Sequence, residues 1–198
     1  MIIRRLGCLV LLGAFAVMSS PAWANDICQV PGNLVQNCGF ETGDFTGWTQ
    51  SGNTGFTSVS TFYAFSGNYG AQLGPVGSDG FLTQLVGDNS TTYFASFELY
   101  NDGGAPNDFT VYWNGVDVGP DLVDASNFSY TLFSGILAGN SGAGSNEITF
   151  AFRQDPSYWG LDSVVVRNTS TVPEPASLML LGAGLLGLGG LVRRKLAR

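Results

Sequence analysis

Few residue types in this chain can do chemistry. Between Asn25 and Val172 stand fourteen carboxylates, every acidic residue except Glu174, against Arg153 and Arg167 as the sole cations. Histidine is absent, and the one lysine, Lys195, lies near the C-terminus. Without imidazole or amine, this segment has no general base for a Ser-His-Asp or Cys-His triad, no Schiff-base nucleophile and no His-ligated zinc. A net charge near −12 has nothing with which to neutralise phosphates, so nucleic acid is excluded as a partner. What remains is carboxylates and hydroxyls. They suit an oxygen-ligated calcium ion, or a carboxylate-pair glycosidase for which no particular spacing argues.

Aromatic residues offer a second chemistry. Trp48, Tyr63, Phe65, Tyr100, Tyr112, Tyr158 and Trp159 present flat faces that can stack on sugar rings, with Asp, Asn and Gln nearby for the hydroxyls. In an aromatic-rich β protein most such residues are core, and Trp48 and Trp159 favour that reading.

The elements that must position these groups read as strands. No stretch between Asn25 and Val172 carries apolar residues at helical spacing. Short β-rich runs alternate instead with Gly, Asn and Asp, which predicts an all-β, antiparallel β-sandwich. The predicted strands are 81–86, 93–100, 109–113, 130–137, 147–153 and 161–167, and Asn114-Gly115 predicts a two-residue hairpin. Parity places Tyr93, Ala95, Phe97 and Leu99 inward, with Phe109, Val111, Trp113, Ile148, Phe150 and Phe152. It turns Glu98, Tyr100, Tyr112 and Arg153 outward. If their strands share a sheet, these four form one exposed ligand-binding face.

Two stretches carry a resemblance. Asn33-Leu-Val-Gln-Asn-Cys-Gly-Phe-Glu41, followed by Gly47-Trp48, resembles the opening strand of galactose-binding-like jelly rolls, which include many carbohydrate-binding modules. Trp159-Gly-Leu-Asp162-Ser-Val-Val-Val166 is similar to their closing strand. The resemblance implies a jelly roll over residues 33–167. It also implies a structural calcium held by Glu41 and Asp162, although Cys38 stands where a glycine is usual and Ser163 replaces a second aspartate. Two carboxylates brought together need a cation, a proton or an arginine between them. The plainer expectation is that Glu41 accepts backbone hydrogen bonds near a turn and Asp162 caps a loop.

The ends of the chain read as export signals. Residues 1–24 carry Arg4 and Arg5, an apolar run from Leu6 to Met18 and Ala22-Trp23-Ala24, the pattern of a secretory signal peptide. Cys8 would leave with it. Cys28 and Cys38 would then face an oxidising compartment as an even set, so a disulfide between them is expected. The domain is expected over 25–167 and a linker over 168–175. A transmembrane helix follows at 176–192, roughly 25 Å long at ~1.5 Å per residue and marginal against a ~30 Å hydrocarbon core. The basic tail, 193–198, should stay cytoplasmic. Pro173-Glu174-Pro175, the Gly/Leu-rich span and the arginine cluster together resemble the PEP-CTERM sorting signal.

That resemblance implies an exosortase-type processing enzyme as partner and a Gram-negative exporter. It also implies an inner-membrane-anchored precursor that ends at the cell surface or in the extracellular matrix. The expected role is a non-catalytic surface or biofilm protein contacting extracellular polysaccharide. The alternatives are a structural or adhesive envelope protein without a glycan ligand, and a small carboxylate-dependent glycosidase or lyase.

Overall fold

The computed structural model describes residues 28, 30–87, 92–139, 146–155 and 157–169. The expected signal peptide, Pro-Glu-Pro motif, transmembrane helix and basic tail lie outside the described residues. Among the described residues no helix is long and apolar enough to cross a membrane.

Among the described residues eleven strands build two antiparallel sheets. They are β1 (Thr49–Gly52), β2 (Thr57–Ser60), β3 (Gly70–Leu73), β4 (Gly80–Val86), β5 (Thr92–Asn101) and β6 (Asn107–Trp113), then β7 (Val116–Asp117), β8 (Leu122–Val123), β9 (Phe128–Ala138), β10 (Asn146–Gln154) and β11 (Trp159–Asn168). The first sheet runs β1-β4-β10-β6-β7, with β8 also paired to β6. The second runs β2-β3-β11-β5-β9, so β11 is its central strand.

Alternation decides the core. Leu82 and Val86 on β4, Phe109, Val111 and Trp113 on β6, and Ile148, Phe150 and Phe152 on β10 point inward from the first sheet. Tyr93, Ala95, Phe97 and Leu99 meet them from β5. Phe150 is the hub, its ring within 5.2–6.0 Å of Phe97, Phe109 and Trp48. Polar groups inside the core find partners at two large aromatics: Trp113 Nε1 donates to the Ala138 carbonyl at 2.7 Å and Asn146 Nδ2 to the Tyr93 hydroxyl at 2.9 Å. Among the described residues the buried apolar side chains from Cys28 to Val166 form one continuous core, the property that lets a domain fold by itself.

The predicted hairpin is present. Trp113 pairs with Val116 across Asn114 (φ 52°) and Gly115 (φ 76°), the two positive φ angles that a type I′ turn requires. Cys28 and Cys38 form the expected disulfide, with a Cα–Cα distance of 5.6 Å.

The opening stretch departs from expectation. Residues 33–48 form turns instead of a strand, yet they follow β11 closely. Leu34 N donates to the Val166 carbonyl at 2.8 Å, Val164 N to the Cys38 carbonyl at 2.9 Å, and Val166 N to Asn33 Oδ1 at 3.0 Å. Positive φ at Asn37 and Phe40 breaks the extended run, and Asn37 Nδ2 holds the resulting loop through the Asp44 and Thr46 carbonyls.

Candidate functional site

The four residues expected to share one face lie on two. Glu98 and Tyr100 sit on β5, in the second sheet, whereas Tyr112 on β6 and Arg153 on β10 belong to the first. Parity correctly turned each away from its own core. It could not say that the strands join different sheets, and the two outer faces lie on opposite sides of the sandwich.

The second sheet's outer face is roofed by residues 61–69. Asp162, fully buried on β11, accepts through Oδ2 from the backbone N–H groups of Phe65 (2.7 Å) and Ser66 (3.0 Å), and through Oδ1 from Ser163 N (2.5 Å). Glu41 takes the other half of the loop, accepting from Asn68 N at 2.8 Å and Tyr69 N at 2.9 Å. A bulge at Ser163, φ 54°, shifts the β11 register just beyond Asp162 and separates the residue that grips the loop from the valines that rejoin the core.

Tyrosines seal the same roof. Tyr63 and Tyr100 both donate to Asp102, at 2.5 and 2.9 Å, and the Tyr130 hydroxyl donates to the Tyr63 carbonyl. The cover is tight because Gly160 has no side chain: a Cβ there would lie 2.7 Å from the Tyr130 hydroxyl and 2.8 Å from the Tyr63 ring. Tyr100 therefore packs against Tyr63 and Tyr130, at ring distances of 5.9 and 5.5 Å, and is no free stacking platform. Glu98 is buried too, which pushes its carboxyl above the usual range. Burial, opposed by its three N–H donors and reinforced by Glu41, pushes Asp162 up to about 7.

Among the described residues no loop roofs the first sheet's outer face. One row crosses it from Thr49 through Thr83 and Thr149 to Tyr112 and Asp117. The next holds Phe81, Ala151 and Thr110. Thr83 and Thr149 hydroxyls share a hydrogen bond of 2.9 Å, and Thr110 donates to Asp121 at 3.3 Å. At one end Arg153 binds Asp155 through Nε (2.9 Å) and Nη2 (2.7 Å), leaving Asp108 opposite it. Burial and the carboxylates of Asp79, Asp124 and Asp155 push Asp108 up to about 6 against the pull of Arg153.

Sequence reasoning missed the threonines. The alternation that marked 81–86 and 147–153 as strands would have turned Thr83 and Thr149 outward. Trp48 and Trp159 are core, as their places beside the opening and closing stretches implied. Among the described residues no group of three or more His, Cys, Asp or Glu is placed to hold a metal ion. Glu41 and Asp162 accept backbone N–H groups of the 61–69 loop, as the plainer expectation had it, and the lone pairs left over are oxygen donors of the kind a hard cation takes.

Comparison with known proteins agrees with this architecture. No curated protein matches the chain. Among solved structures it is similar to TmCBM61, which was determined in complex with beta-1,4-galactotriose: 21% identity, 69% of this chain, 98% of that one and a TM-score of 0.51. The CBM22-1 xylan-binding domain of Paenibacillus barcinonensis Xyn10C matches at 18% identity over 68% of this chain and 93% of its own, TM-score 0.51. A further CBM22 xylan-binding domain matches at 16% over 72% and 99%, TM-score 0.51. These likenesses establish the fold, the β-sandwich of carbohydrate-binding modules. At the other end, residues 171–195 match the PEP-CTERM protein-sorting motif, so the chain carries a sorting signal of exosortase substrates behind a sandwich of the carbohydrate-binding-module fold.

Proposed function

We propose that this protein is a non-catalytic, exported surface protein that contacts extracellular polysaccharide through the outer face of the β1-β4-β10-β6-β7 sheet. The supporting observation is the asymmetry of the two outer faces. One is closed by the 61–69 loop, while no described residue roofs the other, which holds half-buried Tyr112 among Thr83, Thr110 and Thr149. A half-buried tyrosine ring covers the apolar C–H surface of a sugar, and the threonine hydroxyls and the Glu147 carboxylate exchange hydrogen bonds with its hydroxyls. Arg153, already held by Asp155, supplies a fixed donor at one end of the face. Tyr100 and Glu98 serve the fold.

A non-catalytic role fits because the most strongly raised carboxyl, Asp162, is sealed beneath the loop and has no approach to a substrate. Glu41 and Asp162 would hold a calcium ion, which would neutralise two carboxylates gripping one loop and so fix the roof. Before processing, the span over 176–192 would anchor the precursor in the inner membrane with 193–198 inside.

Binding of residues 25–169 to the host's own exopolysaccharide and to a glycan array tests the reading, with Tyr112→Ala and Tyr100→Ala run alongside. Tyr112→Ala should weaken binding at least ~10-fold, about 1.4 kcal/mol, and leave the melting temperature nearly unchanged. Tyr100→Ala should lower the melting temperature instead. Absence of binding to every glycan, or binding indifferent to Tyr112, overturns the reading. For calcium, a melting temperature unmoved by chelator and by added calcium refutes the proposed ion.

A further inference from the structure

The sandwich has four edges, and three are short. β1 and β2 offer four residues each and β7 two, whereas β9 ends the second sheet with eleven. Its free side is unguarded. From Phe128 to Ala138 there is no charge and no proline, the devices by which edge strands ordinarily repel a partner. Large apolar side chains stand in the open: Leu132 is 60% exposed and Ile136 64%.

The pattern along β9 is self-complementary. Leu132 and Ile136 flank Ser134 at equal distance on the outer face, opposite Glu98 and Phe94 of β5. If a second β9 runs antiparallel about a two-fold axis at Ser134, each Leu132 lies across from the other copy's Ile136. Each Phe133 then lies across from the other copy's Gly135, where a Cβ would meet nothing within 4 Å. On that inner side an apolar cleft of about 280 Å³ opens between the sheets, lined by Phe97, Val111, Val118, Pro120 and Phe133. Charge on the strand itself does not bar a second copy. Two domains of net charge near −12 repel wherever carboxylates approach, and β9 permits close approach because it carries none.

We propose that β9 is an assembly edge and that its occupant is the β9 of a second copy of this chain, joining two sandwiches through one continuous sheet. Backbone hydrogen bonds along the strand supply the adhesion, and the Leu132–Ile136 and Phe133–Gly135 pairs set the register. The inference is independent of any glycan.

Sedimentation velocity of residues 25–169 across a wide range of protein concentration tests it, with the Cys28–Cys38 disulfide intact. The chain should pass from monomer to dimer, and Leu132→Lys or Ile136→Lys should leave only monomer while the melting temperature at the lowest concentration, where the wild type is also monomeric, stays unchanged. Ser134→Cys should form a covalent dimer on mild oxidation. Ser129→Cys, whose counterpart across the axis is residue 139, should not. A monomer at every concentration with no cross-link through position 134 overturns the proposal, and so does a dimer that survives Leu132→Lys.

Discussion

Asp108 and Arg153 stand opposite each other on β6 and β10, yet the guanidinium turns away and spends both its hydrogen bonds on Asp155. Arg153–Asp155 is the only ion pair among the described residues. Asp108 is left partly desolvated among Asp79, Asp124 and Asp155, which pushes its carboxyl to about 6 from its ordinary 3.8.

The sign of the resulting pH dependence follows from proton counting. Between 3.8 and about 6 the folded chain keeps a proton on Asp108 that the unfolded chain has released. Stability from this group is therefore fully present below 3.8 and lost as pH rises to about 6. Thermal melts in chelator should show the melting temperature falling over this window, and Asp162, raised to about 7, extends the fall. Asp108→Asn stays neutral throughout, so it should melt above the wild type at pH 8 and level with it at pH 4. A wild-type melting temperature that climbs from pH 4 to 7 contradicts this account.

Glycine at position 160 is a requirement of the roof. Alanine there puts a Cβ 2.7 Å from the Tyr130 hydroxyl and 2.8 Å from the Tyr63 ring, so the 61–69 loop must lift. Gly160→Ala should cost about 1–3 kcal/mol by urea unfolding, the usual penalty of overpacking. Hydrogen exchange should show Phe65 and Ser66 amides losing protection while the β6 and β10 amides keep theirs.

Phe150 connects the two sheets, touching Trp48, Phe97 and Phe109 at once. Its removal leaves a cavity that rigid aromatic neighbours cannot collapse into. Phe150→Ala should cost ~3–5 kcal/mol in equilibrium unfolding, whereas Phe62→Ala, a change at a ring that is 80% exposed, should cost close to nothing. Equal losses at the two positions would mean that the core is not where it is described.

The disulfide joins Cys28 to a turn, ten residues apart, beside β11. Closing so short a loop restricts the unfolded chain by roughly 2.5–3 kcal/mol in the loop-entropy account. The Cys28→Ser, Cys38→Ser double variant should lose about that much stability and keep the same sheet content by circular dichroism.

Strong alternation made much of this fold readable. Tyr93, Ala95, Phe97 and Leu99 are buried as their spacing requires, and Asn114-Gly115 turns the chain where that dipeptide must. β1 and β2 escaped because Thr-Gln-Ser-Gly and Thr-Ser-Val-Ser have no apolar period to detect, and β3 because Gly-Ala-Gln-Leu alternates over only four residues. Glu98 was read as outward and is, but it is 7% exposed, because a loop from elsewhere in the chain covers its face. Periodicity reports which way a side chain leaves its own strand. It carries no information on what another segment lays over it, and for that reason Tyr100 and Tyr112 looked equivalent.

β11 lies between β3 and β5, and the chain leaves it toward the sorting motif. Any pull applied through the residues that follow β11 would act along the middle strand of a sheet. It must slide β11 lengthwise past two neighbours, straining their hydrogen bonds together instead of peeling them singly. The opening residues from Asn33 to Cys38 are bonded to the same strand and share the tension. A domain pulled in this way resists load far better than one pulled from an edge strand such as β9.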